Sequence, residues 1–518
     1  MKENKTALML NRIFHIVFLT LFGINFICIL FHAYSYSDSQ RPWIIACFLG
    51  FTLIFTGLFL LLQKYEFKPS LKNEAALSDK NTKIIIFCSV GIMLLFQLLM
   101  GYFLQMNPIT DLDYVSEYAL DFAHTGNFDM VQSDYANGDV YLIRYPNNMA
   151  IYLFLSFLFR GLYLIFGSIP MYIPVVINAV AINLCVLFTV LIAKKIFGNR
   201  KAIYTLISCL LFIPFYTYVP FYYTDSLSMP FAIGSVYLII CSFSSKTKYK
   251  KYILASISGA LILLGYKMKG SVVIVLGVIL VYIVLKYGMK KILCFGLSIV
   301  FGFLAVGAIY NAGVDSLNIS TKEQQYECEY PVTHWILMGL KGEGHYNYED
   351  SKYTSSFSNK DTKNEGDLKA IKQRIANMTS GEFAYHLLVK AMWTWEDGTY
   401  FVSHHIQDPV RKNVLHNYVL KESPHYEMFY NVSSGFQIML LLLMCLSVLK
   451  GCIKPRIDML TIFKGIIFVV FIFFLIWETR SRYIFNFTPV FLLVAVDGVD
   501  FFTKKLIKPI KRRFVRKQ

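Results

Sequence analysis

The feature that most constrains this chain is the recurrence, along its whole length, of apolar stretches of about 20 residues. Of its 518 residues, 56% are hydrophobic and only 16% are charged, which leaves too little polar surface for a soluble protein of this size. In a bilayer each such stretch must satisfy its own backbone hydrogen bonds, so it folds as an α-helix. The sequence therefore predicts an all-α polytopic membrane protein.

About twelve spans are predicted from length and hydropathy. The first is too long for a cleaved signal peptide and is followed at once by another, so we expect it to be retained. The spans are residues 12–33, 42–63, 83–105, 171–194, 201–219, 226–243, 251–266, 271–287, 291–310, 434–450, 461–478 and 483–502.

Basic residues set the predicted orientation. The net charge is +17, which in a membrane protein indicates loops beside anionic lipid rather than a nucleic-acid partner. Basic loops follow the spans at 64–83, 194–201, 246–251, 286–291 and 450–456, and a basic tail begins at Lys504. The positive-inside rule assigns these loops and both termini to the cytoplasm.

Residues 149–166 are apolar enough to be a further span, but they include Arg160. Counting them as a span would reverse the side of every later loop, so we interpret them as an interfacial helix. This helix belongs to a first outer segment, 106–170.

We predict four parts in the chain: an N-terminal hairpin and loop, a transmembrane core, a small mainly helical outer cap, and C-terminal helices with a basic tail, at 1–82, 83–310, 311–432 and 433–518.

Asp113, Glu117 and Asp121 recur at helical spacing in the first outer segment, and Asp111 precedes them. A carboxylate at the mouth of a bundle can act as a general base. Asp113 is predicted to lie nearest the mouth, and Asp111 is the second candidate. The alternatives are structural: Asp111 as a helix N-cap, and Asp113 and Glu117 as part of a solvated helix face.

Cations on the predicted outer side run against the positive-inside rule and need a local reason. They are Lys267 and Lys269 in a tight turn, and Arg480 and Arg482 before the last span. Guanidinium groups bind phosphate through paired hydrogen bonds. The alternatives are snorkelling of the lysines to headgroups and pairing of an arginine with Glu478.

Further polar and aromatic residues on the same side are candidate substrate contacts. Each could instead be a cap, a helix start or part of the cap's packing. These candidates are Asp225, Tyr223, Glu117, Arg144, Tyr145, His334 and Trp395. The ten cysteines have no spacing typical of a zinc site, and no metal site is predicted.

The order and common side of these motifs resemble the GT-C-fold glycosyltransferases. In particular, they resemble the group of protein O-mannosyltransferases and lipid A aminoarabinose transferases, in a Gram-positive branch. The motifs are Asp111-Leu-Asp113, Tyr145-Pro-Asn-Asn148 and Arg480-Ser-Arg482-Tyr483, supported by Thr333-His-Trp335 and Trp393…Asp397-Gly398. The resemblance covers about residues 83–503. It departs from the family pattern at Leu112, at Asn147, and in two extra N-terminal helices.

The resemblance implies a GT-C-like bundle that transfers a sugar from a polyprenyl-phosphate donor at the outer membrane face. The acceptor would be a cell-envelope polymer, a glycolipid or a protein. It implies Asp113 or Asp111 as the base, and Arg482, Arg480, Lys267 and Lys269 on the donor phosphate. The resemblance does not firmly imply a cofactor, and it leaves open whether a divalent cation takes part in the reaction.

Two other classes remain open. One is a transporter, flippase or polymerase for lipid-linked glycans, and the other is a non-enzymatic accessory membrane subunit. Transporters tend to place ionisable groups near the bilayer midplane. Here the predicted spans carry few charges and the polar groups gather on one side, which favours an enzyme.

Overall fold

The computed structural model describes residues 5–32, 37–64, 78–138 and 140–507. These residues fold into helices, and within them the only β-type pairing is an isolated antiparallel bridge between Met106 and Pro409. Ten of the helices are long and apolar enough to cross a membrane. The prediction of an all-α polytopic membrane protein is confirmed.

The chain up to residue 210 contains three long helices, a group of shorter ones, and a further pair. They are α1 (Lys5–His32), α2 (Arg41–Lys64), α3 (Asp79–Phe103), α4 (Asp111–Thr125), α5 (Asp129–Asn137), α6 (Tyr141–Arg144), α7 (Met149–Phe166), α8 (Ile173–Phe197) and α9 (Asn199–Leu210). A 3₁₀ turn, Pro146–Asn148, leads into α7.

The middle of the chain continues the bundle. It contains α10 (Pro214–Thr217), α11 (Thr224–Leu227), α12 (Met229–Ser244), α13 (Lys248–Met268), α14 (Val273–Tyr287), α15 (Met289–Lys291) and α16 (Leu297–Ser316). A 3₁₀ turn at Gly270–Val272 separates α13 from α14, and a π-helical turn at Ile292–Gly296 precedes α16.

The last part begins with the cap, which we define as residues 317–425. The cap contains α17 (Lys322–Cys328), α18 (Val332–Gly339), α19 (Tyr348–Ser355), α20 (Lys360–Ala376), α21 (Ser380–Trp395), a 3₁₀ turn (Val402–His404) and α22 (His416–Val419). Three helices then complete the bundle, α23 (Tyr426–Ile453), α24 (Leu460–Ile476) and α25 (Thr488–Phe502), with a 3₁₀ helix at Ser481–Phe487 and a π-helical turn at Thr503–Ile507.

The bundle has two chemically different ends. At the basic end, Lys194 at the close of α8 forms an ion pair with Asp79 at the start of α3. At the other end, which we call the cap end, the Tyr172 hydroxyl donates to the Leu98 carbonyl at 2.5 Å. The two contacts make α3 and α8 antiparallel, so the chain leaves α3 and enters α8 at the same end.

The antiparallel arrangement of α3 and α8 decides whether α7 can cross the membrane. The segment Pro146–Phe166 is long and apolar enough to span a membrane, but a single crossing would carry the chain to the basic end. The chain instead returns to Tyr172 at the cap end, and α7 packs along the amphipathic α4. The arrangement supports the interpretation of 149–166 as a helix lying along the end of the bundle.

The predicted span 201–219 is not one helix, and this prediction was wrong. Helix α9 has 12 residues, or roughly 18 Å, against about 30 Å of hydrocarbon. Pro214 has no N–H to donate to the Leu210 carbonyl, and that carbonyl accepts from the Tyr216 hydroxyl at 2.8 Å instead. This break in the helix could have been predicted from Pro214 in the sequence.

The other predicted spans differ in smaller ways. Residues 251–266 and 461–478 form α13 and α24, which do not count among the ten long apolar helices because α13 carries several lysines and α24 has 17 residues. The total of about twelve spans therefore stays a prediction. Most of the basic loop 64–83 and the tail beyond 507 lie outside the described residues.

Glycines allow close helix contacts in the bundle. A Cβ on Gly259 of α13 would lie 1.9 Å from the Ile299 carbonyl oxygen, and one on Gly302 of α16 would lie 1.8 Å from the Ser256 carbonyl oxygen. A Cβ on Gly498 of α25 would meet the Leu443 carbonyl oxygen of α23 at 1.8 Å. Small residues at such crossings are typical of membrane helix packing.

Candidate active site

The Arg482 guanidinium lies at the centre of the cap end, on the 3₁₀ helix between α24 and α25. Its side chain is only 12% exposed, and Nη2 lies 3.4 Å from Asp111 Oδ2. Nη1 lies 3.5 Å from His405 Nε2, and Nε is buried with no hydrogen-bond partner among the described residues. Both contacts are at the long limit of a hydrogen bond. The guanidinium therefore retains donors for a further acceptor.

A chain of hydrogen bonds orients Asp111. The Tyr141 hydroxyl donates to Asp111 Oδ1, Asn148 Nδ2 donates to the Tyr141 hydroxyl, and the Tyr223 hydroxyl donates to Asn148 Oδ1, each at 2.9 Å. This chain fixes Oδ1 and turns Oδ2 towards Arg482. The Asp111 side chain is 40% exposed, so a substrate can still reach it.

The alternative role for Asp111 as an N-cap does not match the structure. Thr110 is the N-cap of α4, with φ of 54°, and Asp111 is the first helical residue. A positive φ at a threonine is an uncommon, strained conformation. It sets the direction in which α4 starts, and so the position of Asp111 beside Arg482.

Asp113 and Glu117 lie on the exposed surface of α4. Within the described part of the chain, neither carboxylate has a side-chain hydrogen bond in the structure. Successive helical residues rotate by about 100°, so Asp113 points roughly opposite to Asp111. The structure brings Asp111 to Arg482 and does not bring Asp113 there, contrary to the expectation that Asp113 lies nearest the mouth.

Of the two lysines at the end of α13, only Lys269 joins this site. Lys269 forms an ion pair with Asp225, which is 1% exposed, and its Nζ lies 5.1 Å from the centre of the Tyr483 ring. Lys267 instead donates to Asn311 Oδ1 at 2.8 Å and lies over the Tyr310 ring. The predicted phosphate-binding role of Lys267 therefore has no geometric support, because α16 holds its amine.

Arg480 and Glu478 occupy separate environments. The Arg480 guanidinium lies 4.7 Å from the centre of the Phe401 ring. Glu478 accepts a hydrogen bond of 3.0 Å from the Tyr483 hydroxyl, and burial raises the pKa of Glu478. Within the described residues, neither arginine forms an ion pair with Glu478, so that alternative is not observed.

Asp397 entered the sequence analysis only as part of the supporting motif Trp393…Asp397-Gly398, and it was not predicted to be a site residue. Its Oδ1 accepts from Thr399 N at 2.8 Å and from Thr399 Oγ1 at 2.6 Å. Its Oδ2 accepts from Phe401 N and from Ser481 Oγ, each at 2.8 Å. The bond to Ser481 ties the cap to the residue before Arg482. The local turn was detectable in Asp397-Gly398-Thr399, but the partner Ser481 was not.

Asp397→Asn is expected to destabilise the protein by about 1.5–3 kcal/mol, because the carboxylate loses charge-assisted bonds and an amide N–H replaces an acceptor. The thermal unfolding midpoint in detergent measures the effect. Asp315→Asn, at an exposed position near the end of α16, is the matched control and should leave the midpoint unchanged. Equal midpoints for both variants would contradict the anchoring role.

His405 is the second residue that the sequence did not indicate. Its ring stacks on Phe221 at 3.8 Å, and its Nδ1 is buried with no hydrogen-bond partner among the described residues. Burial, followed by the charge of Arg482, lowers the pKa of His405 well below its usual value. The imidazole is therefore neutral at pH 7 and adds no positive charge to the site.

The remaining candidates contact other parts of the cap or the core. Arg144 and Tyr145 pack on Tyr330, with distances of 5.4 Å to its ring centre. His334 is buried, its Nδ1 lies 2.8 Å from Thr354 Oγ1, and burial lowers its pKa to about 4. These contacts indicate that Arg144 and Tyr145 pack against the cap and that His334 packs inside it.

Trp395 was a candidate substrate contact, and the structure contradicts this. It is 1% exposed and packs against Phe22, Phe471 and Phe491. Its position at the end of α21 buries it between the cap and the bundle, so it is a core residue.

In the described ranges, no group of three or more histidine, cysteine, aspartate or glutamate side chains could hold a metal ion. The carboxylates near Arg482 are each committed to protein partners. Asp111 bonds to Tyr141 and Arg482, Asp225 pairs with Lys269, and Asp397 accepts four donors.

Comparisons with known proteins found a family profile and a solved structure that match this chain. A family profile described as "Conserved hypothetical integral membrane protein" matches residues 6–500. The crystal structure of ArnT from Cupriavidus metallidurans bound to undecaprenyl phosphate is similar at 10% sequence identity, over 80% of this chain and 77% of that chain, with a TM-score of 0.34. No curated protein matches the sequence. The family match includes both the bundle and the cap.

Proposed function

The chain belongs to this family of conserved hypothetical integral membrane proteins, and we propose that it is a glycosyltransferase using a polyprenyl-phosphate-linked sugar. The observation that carries the proposal is the buried Arg482 guanidinium, which faces Asp111 with donors to spare. The acceptor is a cell-envelope polymer, glycolipid or protein on the outer face. No cofactor beyond the lipid-linked donor is part of the proposal.

Arg482 binds the donor phosphate in this proposal. As the bond between the sugar C1 and the phosphate oxygen breaks, negative charge develops on the leaving phosphate. A fixed guanidinium with unused N–H groups stabilises that charge, most strongly where water is excluded. Lys269, beside Tyr483 and paired with Asp225, lies in the same region. A lipid carrier explains why these cations lie where the cap meets the helices.

Asp111 is the proposed general base. The acceptor hydroxyl oxygen forms the new bond to C1, its proton passes to Asp111 Oδ2, and the electron pair of the broken bond stays on the polyprenyl phosphate. A positioned carboxylate is suited to this proton transfer. The Tyr141 bond to Oδ1 keeps Oδ2 directed into the site. Asp113, on the exposed face, remains the second candidate.

A transporter or flippase is the main alternative class. Such proteins need ionisable groups along a path through the bilayer. The Arg482–Asp111 pair and the Lys269–Asp225 pair instead both lie at the cap end. This placement favours chemistry at one face.

The proposal includes an orientation, with the cap outside and the basic end in the cytoplasm. With native cysteines replaced, Ser356→Cys in the cap should react with a membrane-impermeant maleimide in intact cells. Ser245→Cys, in the α12–α13 turn, should react only after lysis, as should cysteines introduced at Ala75 and in the C-terminal tail, both outside the described residues. Protection of Ser356→Cys in intact cells would contradict this orientation.

Mass spectrometry of cell-envelope polymers, with and without the chain, tests the proposed function. Cells lacking the chain should lose one sugar substituent, and wild-type protein should restore it. Restoration by an Asp111→Asn variant at equal expression would argue against an enzyme. Accumulation of an assembled lipid-linked glycan in the cytoplasmic leaflet would support a flippase.

A further inference from the structure

A second site is visible at the opposite, basic end of the bundle. A cavity of about 340 Å³ opens there between α1, α23, α24 and α25, a size within the range of small-molecule sites. Six cationic residues line it: Lys450, Lys454, Arg456, Lys464, Lys504 and Lys505. Nothing in the proposed transfer at the cap end uses these residues.

Two of the three acidic residues that line the cavity, Asp497 and Asp500, form ion pairs with lysines. Asp497 lies 2.5 Å from Lys450 Nζ, 3.9 Å from Lys464 Nζ, and accepts from Ser447 Oγ at 2.7 Å. Lys464 is 4% exposed. Buried ions in membrane helices are costly and mark functional sites. Two lysines therefore share one carboxylate on the cavity floor, which leaves an excess of positive charge.

The rim of the cavity adds unpaired cations. Asp500 pairs with Lys504 at 3.0 Å and Lys201 at 3.2 Å, and Asp458 Oδ1 accepts from the Leu460 backbone N–H at the start of α24. Three exposed cations form no ion pair within the described ranges. They are Lys454, Arg456 and Lys505.

His15 of α1 gives an independent indication of a ligand. It is 2% exposed, lines the cavity, and its Nε2 has no hydrogen-bond partner among the described residues. Its Nδ1 lies 2.6 Å from the Asn11 carbonyl oxygen and must carry the ring hydrogen of the neutral imidazole. Nε2 is then a buried acceptor, which is costly unless a donor such as a hydroxyl group reaches it.

We propose that this cavity binds a phosphate group with a neighbouring hydroxyl, as in a glycerophosphate headgroup. The lysines and Arg456 bind the phosphate oxygens, and the hydroxyl donates to His15 Nε2. Because the cavity opens at the end of a membrane bundle, an anionic lipid is the favoured source. Free glycerol phosphate shares the chemistry and is the other source. This site is independent of sugar transfer at the cap end.

The test uses the purified full chain in phosphatidylcholine nanodiscs. In one arm, phosphatidylglycerol is added at a small mole fraction and the retained lipid is counted by native mass spectrometry. In the other arm, sn-glycerol 3-phosphate is titrated and its affinity is measured by calorimetry. The variant removes the three unpaired rim cations together, as Lys454→Gln, Arg456→Gln and Lys505→Gln.

The matched control removes equal charge from the same end of the bundle, outside the cavity. It combines Lys246→Gln, Lys248→Gln and Lys250→Gln, all at exposed positions. Each cation near a membrane surface strengthens anion binding by roughly fivefold. The rim variant should lose at least about tenfold in affinity in one arm or both, and the control should lose less than about twofold.

The arm that shows the loss identifies the source as lipid headgroup or soluble phosphate. Equal losses in the rim and control variants would mean diffuse surface attraction and would overturn the proposal. No loss of binding in either arm for the rim variant would also overturn it. Unchanged thermal unfolding midpoints establish that both variants are folded, since the altered side chains are exposed and unpaired.

Discussion

Asp111→Asn is expected to slow sugar transfer by about 10²- to 10⁴-fold while the protein stays folded. The amide keeps an oxygen that can accept from the Tyr141 hydroxyl, but it cannot take a proton from the acceptor. Donor binding should change little, because Arg482 keeps its charge. The rate is measured with purified protein in nanodiscs under single-turnover conditions, so that product release does not mask the chemical step.

Asp113→Asn is the matched control, since it makes the same change two residues away on the exposed face of α4. We expect at most a small effect from it. A loss with Asp113→Asn and full activity with Asp111→Asn would reverse the assignment of the base. Full activity of both variants would show that neither carboxylate of α4 takes part in the reaction.

Arg482→Ala is expected to weaken donor binding and slow transfer together. A hydrogen bond to a charged group contributes about 1.5–3 kcal/mol, or roughly 10- to 150-fold in affinity. Arg482→Lys should recover only part of the loss, because lysine keeps the charge but lacks the planar fork. Donor affinity is measured with a radiolabelled polyprenyl-phosphate sugar.

Arg480→Ala provides the comparison for Arg482, because Arg480 is close in sequence but lies over Phe401 and away from Asp111. Its loss should change donor affinity by less than about threefold, as expected for a partly exposed contact. Unchanged affinity in both single variants and in the double variant would show that neither arginine contacts the carrier.

Hydropathy and charge predicted most of the fold. Most of the long helices follow from apolar length, and the basic loops predicted that 149–166 does not count as a crossing. The tertiary geometry supports that interpretation, because Tyr172 returns to Leu98. The broken span at Pro214 was missed because hydropathy ignores the lost N–H of proline.

The site was harder to predict because its contacts join distant segments. Asp111 and Arg482 are 371 residues apart in sequence. The pattern of charges could predict only that they lie on the same side of the membrane. The choice between Asp111 and Asp113 depends on the start of α4, which the strained Thr110 sets. The positions of Tyr141, Asn148 and His405 depend on how distant loops pack together. The spacing of residues along the chain does not predict that packing.

The central claim is that Arg482 and Asp111 form one site for a polyprenyl-phosphate sugar. Single-turnover release of polyprenyl phosphate from a panel of synthetic donors, by wild-type protein with an envelope-extract acceptor, tests it most directly. We predict release from at least one donor by the wild type, slow release by Asp111→Asn with normal donor binding, and weak donor binding by Arg482→Ala. Release that is equal in all three proteins, or donor binding that survives in Arg482→Ala, would contradict the claim.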